Sequence, residues 1–322
     1  MTLSPRRRSL LAVVLLAAGC ATPVGPTPSQ PNETSSTPAT ASPSSSPLAS
    51  EVLPSSYLIA ADLDGLLVDP SLAHRLPLAV SIDDARVARP QSGFNAASIV
   101  WQAPADGYEV RYLMLFQEQD AAEVGPVRST RTYLAQWASE ERAGFAHYGG
   151  DRLGLAWVKT HRGLVLTDVD GIGAGGSAYH RVSTRTAPHN AFTSTAKLRD
   201  VAIRLGAAET ISAEVHLRPF RDDAPQAARG TSQQVVIPYR TVTVGYRFDP
   251  TTNAYYRTLN GSPHLDSLDG RQVTARTVVV LFQTFRTDST IEPGHSRPVL
   301  GSIGSGDAWV FSEGRRVDAE WS

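Results

Sequence analysis

The sequence has almost no cysteine and almost no lysine. Its one cysteine, Cys20, lies near the N terminus, so the rest of the chain can form neither a disulfide framework nor a cysteine-based zinc site. Only Lys159 and Lys197 are lysines among 30 basic residues, and 31 acidic residues bring the net charge to -1. This balance gives no reason to expect a nucleic-acid partner. The preference for arginine is typical of a GC-rich genome, so a lone arginine is weak evidence for an anion site.

The first 20 residues contain the longest apolar run of the chain. Arg6, Arg7 and Arg8 precede an apolar segment, residues 10–18, that is too short to span a bilayer, and Gly19-Cys20 closes it. This pattern resembles a bacterial lipoprotein signal, in which the cysteine carries the lipid. Leucine stands one place early, at Leu16. "RRSLL" also fits a loose twin-arginine motif, so the export route stays open.

Residues 21–56 form a low-complexity segment. Of these 36 residues, 23 are Ser, Thr or Pro, and only Glu33 and Glu51 are charged. Such a composition cannot bury a core, so we expect a disordered tether that holds the following domain on the order of 30 Å from the membrane. Lipid, tether and globular part together predict a protein anchored at the extracytoplasmic side of the cell membrane.

The first half of the remaining chain mixes strand and helix patterns. Apolar runs between turn residues predict strands at 77–83, 97–103, 110–117 and 145–151. Helices are predicted at 129–142, capped by Ser129 or Thr130, and at 194–206, capped by Ser194 or Thr195 and ended by Gly206. From about residue 211, strand patterns alternate with turns and no helix is expected. The polar segment 221–234 is predicted to be a hinge or a long surface loop.

We therefore predict an α+β fold with two domains. A mixed α/β domain over residues 57–210 follows the signal (1–20) and the tether (21–56), and a mainly-β domain covers residues 211–322.

Several motifs in this part of the chain occur together in one known family. They are PLAVSIDD (77–84), ARPQSGFNAASIVWQAPADGYEVRYLMLFQ (88–117), GPVRSTRTY (125–133), HYGGD (147–151), APHN (187–190), NGSPHLD (260–266) and IGSGDAWVFSEG (303–314). In this order they closely resemble the YerB-like family of two-domain bacterial lipoproteins, whose function is unknown. The resemblance implies an α/β domain followed by a mainly-β domain, and it implies no activity.

The chain departs from the family pattern at a few positions. Asp84 stands where the family usually has Asn, Asp106 where it has Glu, and Asp151 where it has Ser. Relatives usually continue for about another strand beyond Trp321-Ser322, so the resemblance also implies a shortened C-terminal domain.

The segment GPVRSTR contains the best candidate binding site. Arg128, Ser129, Thr130 and Arg131 lie at a predicted helix start, where unpaired N–H groups already make the environment positive. This set suits a phosphate or a carboxylate, with Arg89, Arg111 and Asn190 as further candidate contacts. The alternative is an internal partner, for which the candidates are Asp83, Asp84, Asp106 and Glu109.

Two histidines raise a second hypothesis. His147 and His189, with Asp83 or Asp106, could supply general acid–base chemistry, although a histidine held by a backbone carbonyl is more common. No HxH or HExxH spacing supports a metal site, and neither a metal nor another cofactor is predicted.

Two motifs are rejected as chance matches. "YLIAADLDGLLVD" resembles the first motif of haloacid-dehalogenase phosphatases, with Asp62 and Asp64 as the acidic pair, but Leu66 stands where that motif has Thr or Val. "GIGAGG" at 171–176 matches a dinucleotide-binding pattern, but no helix is predicted after it.

The sequence thus predicts a membrane-anchored lipoprotein that binds an anionic component of the cell envelope. An enzymatic role is open and is not favoured. The competing hypotheses are an envelope hydrolase with Asp/His chemistry and a structural or protein-docking lipoprotein.

Overall fold

The computed structural model describes residues 10–17, 57–211, 219–231 and 233–322, the first range as backbone only. The basic n-region, Cys20, the tether over 21–56 and most of the strand predicted at 211–220 lie outside the described residues.

The described chain contains both helices and strands, numbered here in chain order. The helices are α1 (Pro70–Ala73), α2 (Thr132–Glu140), α3 (Arg152–His161) and α4 (Thr195–Arg204). The strands are β1 (Leu10–Ala17), β2 (Ile59–Ala60), β3 (Leu67–Val68), β4 (Leu78–Asp83), β5 (Ile99–Pro104), β6 (Val110–Phe116), β7 (Gly144–His147), β8 (Thr167–Asp170), β9 (His180–Arg181), β10 (Ala191–Phe192), β11 (Gln234–Pro238), β12 (Thr243–Asp249), β13 (Ala254–Leu259), β14 (Ser262–Pro263), β15 (Thr274–Ala275), β16 (Thr277–Glu292), β17 (His295–Leu300), β18 (Gly306–Ser312) and β19 (Arg315–Trp321). None of the described helices is both long and apolar enough to cross a membrane.

A ten-stranded mixed sheet runs through both halves of the chain. Its order is β19-β18-β16-β1-β5-β6-β4-β7-β8, and β17 pairs with β16. The pairs β4–β7 and β7–β8 are parallel, whereas the other pairs are antiparallel. A second sheet, β11-β12-β13-β14 with β15 beside β13, belongs to the C-terminal half. The predicted combination of a mixed α/β domain and a mainly-β domain is confirmed.

The central strands β4 and β6 are buried along their whole length, because layers cover both faces of the sheet. One face shares a core with α4 and the second sheet, through Val80, Ile82, Met114, Leu198, Tyr246 and Tyr255. The other face shares a core with α2 and α3, through Ala79, Leu113, Leu115, Leu134, Trp137 and Val158. This double burial explains why both strands are continuous apolar runs.

A fully buried arginine lies where the two domains share this core. Arg257, on β13, donates to the hydroxyl of Tyr246 at 3.0 Å within its own domain. It also donates to Gln102 Oε1 at 3.1 Å and to the Tyr112 hydroxyl at 3.0 Å, on β5 and β6. These hydrogen bonds join the domains, since a buried guanidinium left without partners would be costly.

The helix predicted at 129–142 begins later than expected. Helix α2 starts at Thr132 with Arg131 as its N-cap, and no side chain caps it, so the predicted caps at Ser129 and Thr130 are wrong. The backbone before it pairs with neighbouring segments: Arg128 N donates to Ser81 O at 2.8 Å, and Thr130 N donates to Gly149 O at 2.9 Å. These pairings hold the segment extended.

The other helices show where local signals suffice. Helix α4 is capped by Ser194, whose Oγ accepts from Lys197 N at 3.3 Å, and Gly206 follows its C-cap with a positive φ, as predicted. Helix α3 was not predicted from the sequence, and only Gly154 and Val158 of its ten residues are buried. The strand predicted at 145–151 ends at His147, where the chain turns into α3.

The segment expected to be the apolar part of a signal peptide forms β1. Its backbone runs antiparallel to both neighbours, with Leu10 to Ala17 opposite Thr284 to Thr277 of β16 and with Val14 to Ala17 opposite Gln102 to Ile99 of β5. In the described chain, β1 is the strand through which the two domains join into one sheet.

Candidate functional site

Two carboxylates neutralise Arg131, the buried one of Asp151 and the partly exposed one of Asp106. The side chain is 4% exposed, and its guanidinium pairs with Asp106 and, at 3.2 Å, with Asp151. Asp106 also accepts from Arg297 of β17 at 2.9 Å. Burial lowers the pKa of Arg131 below its ordinary value, against the attraction of Asp151. Arg131 therefore has partners inside the protein on two sides.

Among the described residues, Arg128 has one acidic partner, Asp83, and it shares that partner with a histidine. Its Nε lies 3.2 Å from Asp83 Oδ2, close enough for an ion pair, but no well-aligned hydrogen bond forms at this nitrogen. The same oxygen of Asp83 lies 2.6 Å from His189 Nδ1. Burial lowers the pKa of Arg128, and Arg111 lowers it further by repulsion. With 27% of its side chain exposed, Arg128 remains open to solvent.

Arg111 adds a second cation behind Arg128. It lies directly opposite Asp83 in the β4–β6 pairing, and its Nη1 donates to Ser129 O at 2.9 Å. Its Nε is buried without a hydrogen-bond partner, and it forms no ion pair with any residue that the structure describes. Arg111 and Arg128 thus face the single carboxylate of Asp83, which leaves an excess of positive charge.

The remaining candidate binding residues have partners inside the protein. Ser129 Oγ donates to Tyr148 O at 3.2 Å, and the buried Thr130 hydroxyl donates to Arg131 O at 3.2 Å. Asn190 Oδ1 accepts from Arg181 at 2.5 Å. Arg89 forms two hydrogen bonds to Asp84, at 2.8 and 3.1 Å. These side chains position the segment and leave Arg128 as the most exposed arginine of the candidate set, with Arg111 buried near it.

The acidic residues proposed from the sequence as internal partners pair with different arginines in the structure. Asp83 pairs with Arg128 and Asp106 pairs with Arg131, whereas Asp84 is used by Arg89. Burial raises the pKa of Asp84, although Arg89 and Gln91 donate to it. Glu109 forms no ion pair within the described ranges. Asp151 was not expected as a partner of Arg131. It is the N-cap of α3, a helix that was not predicted from the sequence.

Of the four candidate acid–base residues, the structure brings Asp83 and His189 together. His147 is fully buried, with its ring nitrogens 2.9 Å from Gly149 O and 3.1 Å from Asp168 Oδ1. Asp106 is held between Arg131 and Arg297. Among the residues that the structure describes, no three His, Cys, Asp or Glu side chains are grouped to hold a metal ion.

Sequence reasoning missed a second charged cluster, formed by Asp64 and Glu118. Asp64 Oδ2 is buried without a hydrogen-bond partner among the described residues, while Glu118 Oε2 accepts from Ser98 Oγ at 2.8 Å. Burial and then repulsion by Glu118 raise the pKa of Asp64 to about 7. Asp64 also lines a cavity of about 600 Å³ between the domains. The two carboxylates are 54 positions apart, so no local pattern could have paired them.

The structure describes the surroundings of both rejected motifs. Asp62 lies 3.0 Å from His74 Nδ1 and 3.3 Å from Gln117 Nε2. Residues 171–176 form turns that lead into a short 3₁₀ helix at Gly176–Ala178, not into an α-helix.

Comparisons with known proteins agree with this fold. Residues 63–208 match the N-terminal domain, and residues 235–322 the C-terminal domain, of the family described as "Protein of unknown function (DUF3048)". The chain is 27% identical over 271 residues to "Putative lipoprotein YerB" of Bacillus subtilis (strain 168), covering 81% of this chain and 77% of that protein. It is also similar to the crystal structure of the Bacillus subtilis YerB protein, with a TM-score of 0.71 and 24% identity over 82% of this chain and 87% of the other.

The Asp64–Glu118 pair makes a prediction about stability and pH. Because burial raises the folded-state pKa of Asp64 above its unfolded value of about 4, the stability that its proton provides is complete below pH 4 and is lost as the pH rises through about 7. Asp64→Asn removes the titratable group, so position 64 carries no charge at any pH. The unfolding free energy of the variant, relative to that of the unsubstituted chain, should be roughly 1–4 kcal/mol higher at pH 8 than at pH 4. Urea denaturation at the two pH values measures this difference.

Asp307→Asn is the control, because it removes one negative charge at an exposed position. If Asp64→Asn changed the unfolding free energy equally at both pH values, the raised pKa of Asp64 would be contradicted.

Proposed function

Because the chain belongs to the DUF3048 family and carries both of its domains in order, we propose that it is a lipid-anchored extracytoplasmic protein that binds an anionic ligand of the cell envelope. The anchor is Cys20, at the end of the signal, and the tether over 21–56 carries the two domains away from the membrane. The similarity to a protein named as a lipoprotein supports this proposal.

The charge around Asp83 is the observation that carries the ligand-binding part. Arg128 pairs with the Asp83 carboxylate, and Arg111 lies opposite Asp83 in the strand register without an ion pair to any described residue. An anion at the exposed part of the Arg128 side chain would supply a counter-charge for the excess positive charge, and a hydrogen bond to a charged group contributes about 1.5–3 kcal/mol. A phosphate of a glycan polymer or the carboxylate of a peptide has the required chemistry.

A hydrolytic function is the second candidate. The 2.6 Å contact between Asp83 and His189 favours it, because a carboxylate can orient a histidine for proton transfer. In this reading Arg128 would hold the anionic part of a substrate beside the histidine. Hydrolysis of a bound phosphate ester, detected as released phosphate and abolished in His189→Gln, would favour this candidate over simple binding.

Anion binding predicts a ligand-dependent rise in melting temperature, since a ligand that binds only the folded state stabilises it. Inorganic phosphate, glycerol phosphate and acetate are titrated to 10–50 mM, on the order of a weak site's dissociation constant, at constant ionic strength. We expect at least one of them to raise the melting temperature of the full chain. Arg128→Gln should weaken binding about tenfold or more.

Arg162→Gln is the matched control, because Arg162 is an exposed arginine of the same domain, with a side chain 57% exposed. The binding proposal fails if no anion shifts the melting temperature, or if Arg128→Gln and Arg162→Gln respond alike.

The anchor makes a separate prediction. Cys20→Ala removes the thiol that carries the lipid, so the protein should no longer be recovered as a lipid-modified species. Metabolic labelling with a fatty acid, followed by membrane fractionation and mass spectrometry, measures this. Ser45→Ala, within the tether, is the control, and equal labelling of the two variants would refute the anchor.

A further inference from the structure

The place of β1 in the sheet suggests a binding groove for a peptide strand. Among the described residues, no pairing joins β5 directly to β16, and the hydrogen bonds of both strands at this point go to β1. Neighbouring strands lie about 4.8 Å apart, so β5 and β16 are separated by roughly twice that distance. The structure therefore contains a space that one extended strand fills.

This space cannot stay filled by β1 if the proposed lipid anchoring is right, and the inference rests on that proposal. Processing before Cys20 removes residues 1–19 and with them Leu10–Ala17. The backbone groups of β5 and β16 that face β1 would then lose their partners inside the sheet. Unpaired backbone groups are costly to bury and present a template for a new strand.

The walls of the groove are apolar on both faces of the sheet. Val100, Val278 and Val280 are buried in the core that includes the second sheet. Ile99 and Leu281 are buried in the core that includes α2 and α3. An occupant would therefore need apolar side chains on alternate sides of its backbone.

Three polar atoms beside the groove indicate what else the occupant should carry. In the part of the chain that the structure describes, Gln102 Nε2, Trp101 Nε1 and Gln283 Oε1 are buried without hydrogen-bond partners. By backbone register, these three residues lie opposite Val14, Leu15 and Leu11 of β1. Each buried polar atom left unpaired costs about 1–3 kcal/mol, so an occupant that supplies hydrogen-bond partners to them should bind more tightly.

We propose that the groove between β5 and β16 accepts an extended peptide segment from another protein of the envelope once the leader has been removed. The segment runs antiparallel to both strands. It is apolar on both faces and has hydrogen-bonding side chains at the places that Leu11 and Val14 take in the unprocessed chain. The main-chain hydrogen bonds to β5 and β16 provide affinity, and Gln102 and Gln283 provide selectivity.

The occupied groove is tested in the full chain with Cys20→Ala, which retains the leader and removes the other thiol. Val14 and Val280 are directly opposite, so Val14→Cys with Val280→Cys should form a disulfide on mild oxidation. Val14→Cys with Gln283→Cys is the control, three positions out of register, and should not. Equal cross-linking of the two pairs, or none, would overturn the strand placement.

The open groove is tested in the processed chain, which begins at Cys20 and is verified by mass. Two peptides serve as probes: LLAVVLLA flanked by two lysines at each end, and the same peptide with glutamine in place of the second and fifth residues, LQAVQLLA. Hydrogen exchange of the amides of Ile99–Pro104 and Thr277–Leu281 should slow on binding. The glutamine peptide should bind about tenfold more tightly, because two more hydrogen bonds form.

Gln283→Leu is the matched control variant, because it removes one unpaired oxygen and keeps the groove apolar. It should bind LLAVVLLA as before and lose part of the advantage of the glutamine peptide. If neither peptide slows hydrogen exchange in the processed protein, the groove proposal is wrong and the lipid-anchor proposal is unaffected. Retention of residues 1–19 in the exported protein would contradict the lipid anchor and, by leaving β1 as a permanent strand, the groove as well.

Discussion

The candidate site is organised around the carboxylate of Asp83. It lies at the end of the buried strand β4, directly opposite Arg111 of β6, and one of its oxygens contacts both Arg128 and His189. Because burial on both faces of the sheet fixes β4 and β6 in register, the position of this single negative charge is also fixed. The arrangement of three basic side chains around it follows from the core.

The neighbouring arginine shows how a cation can lie at the start of a helix. Arg131 is the N-cap of α2, where the helix dipole disfavours positive charge. Asp106 and Asp151 neutralise it from two sides, and Asp151 also caps α3 by accepting from Gly154 N at 2.7 Å. One carboxylate therefore supports two helices. Removing either member of such a buried pair would leave an unpaired charge, so Arg131 has a structural role, and Arg128 is the arginine with capacity for a ligand.

The sequence predicted much of this fold, and it failed where long-range contacts decide. The positions of β4, β5 and β6 along the chain, the capped helix α4 and the change to a mainly-β half follow from local patterns of apolar and turn residues. Helix α2 begins later than predicted because Ser81 and Gly149, distant in the chain, pair with the backbone before it. The candidate site was found from the clustering of Arg128 and Arg131, but which of them is neutralised depends on Asp151, whose capping role requires α3.

We propose that Arg111 and Arg128 together lack one negative charge, which an anion can supply. The melting temperature of Asp83→Asn as a function of inorganic phosphate, at constant ionic strength, tests this proposal. Without phosphate we expect a lower melting temperature than that of the unsubstituted chain. Adding phosphate should raise it by more than in the unsubstituted chain, because the anion replaces the missing carboxylate. A rise no larger than that of the unsubstituted chain would contradict an anion site beside Asp83.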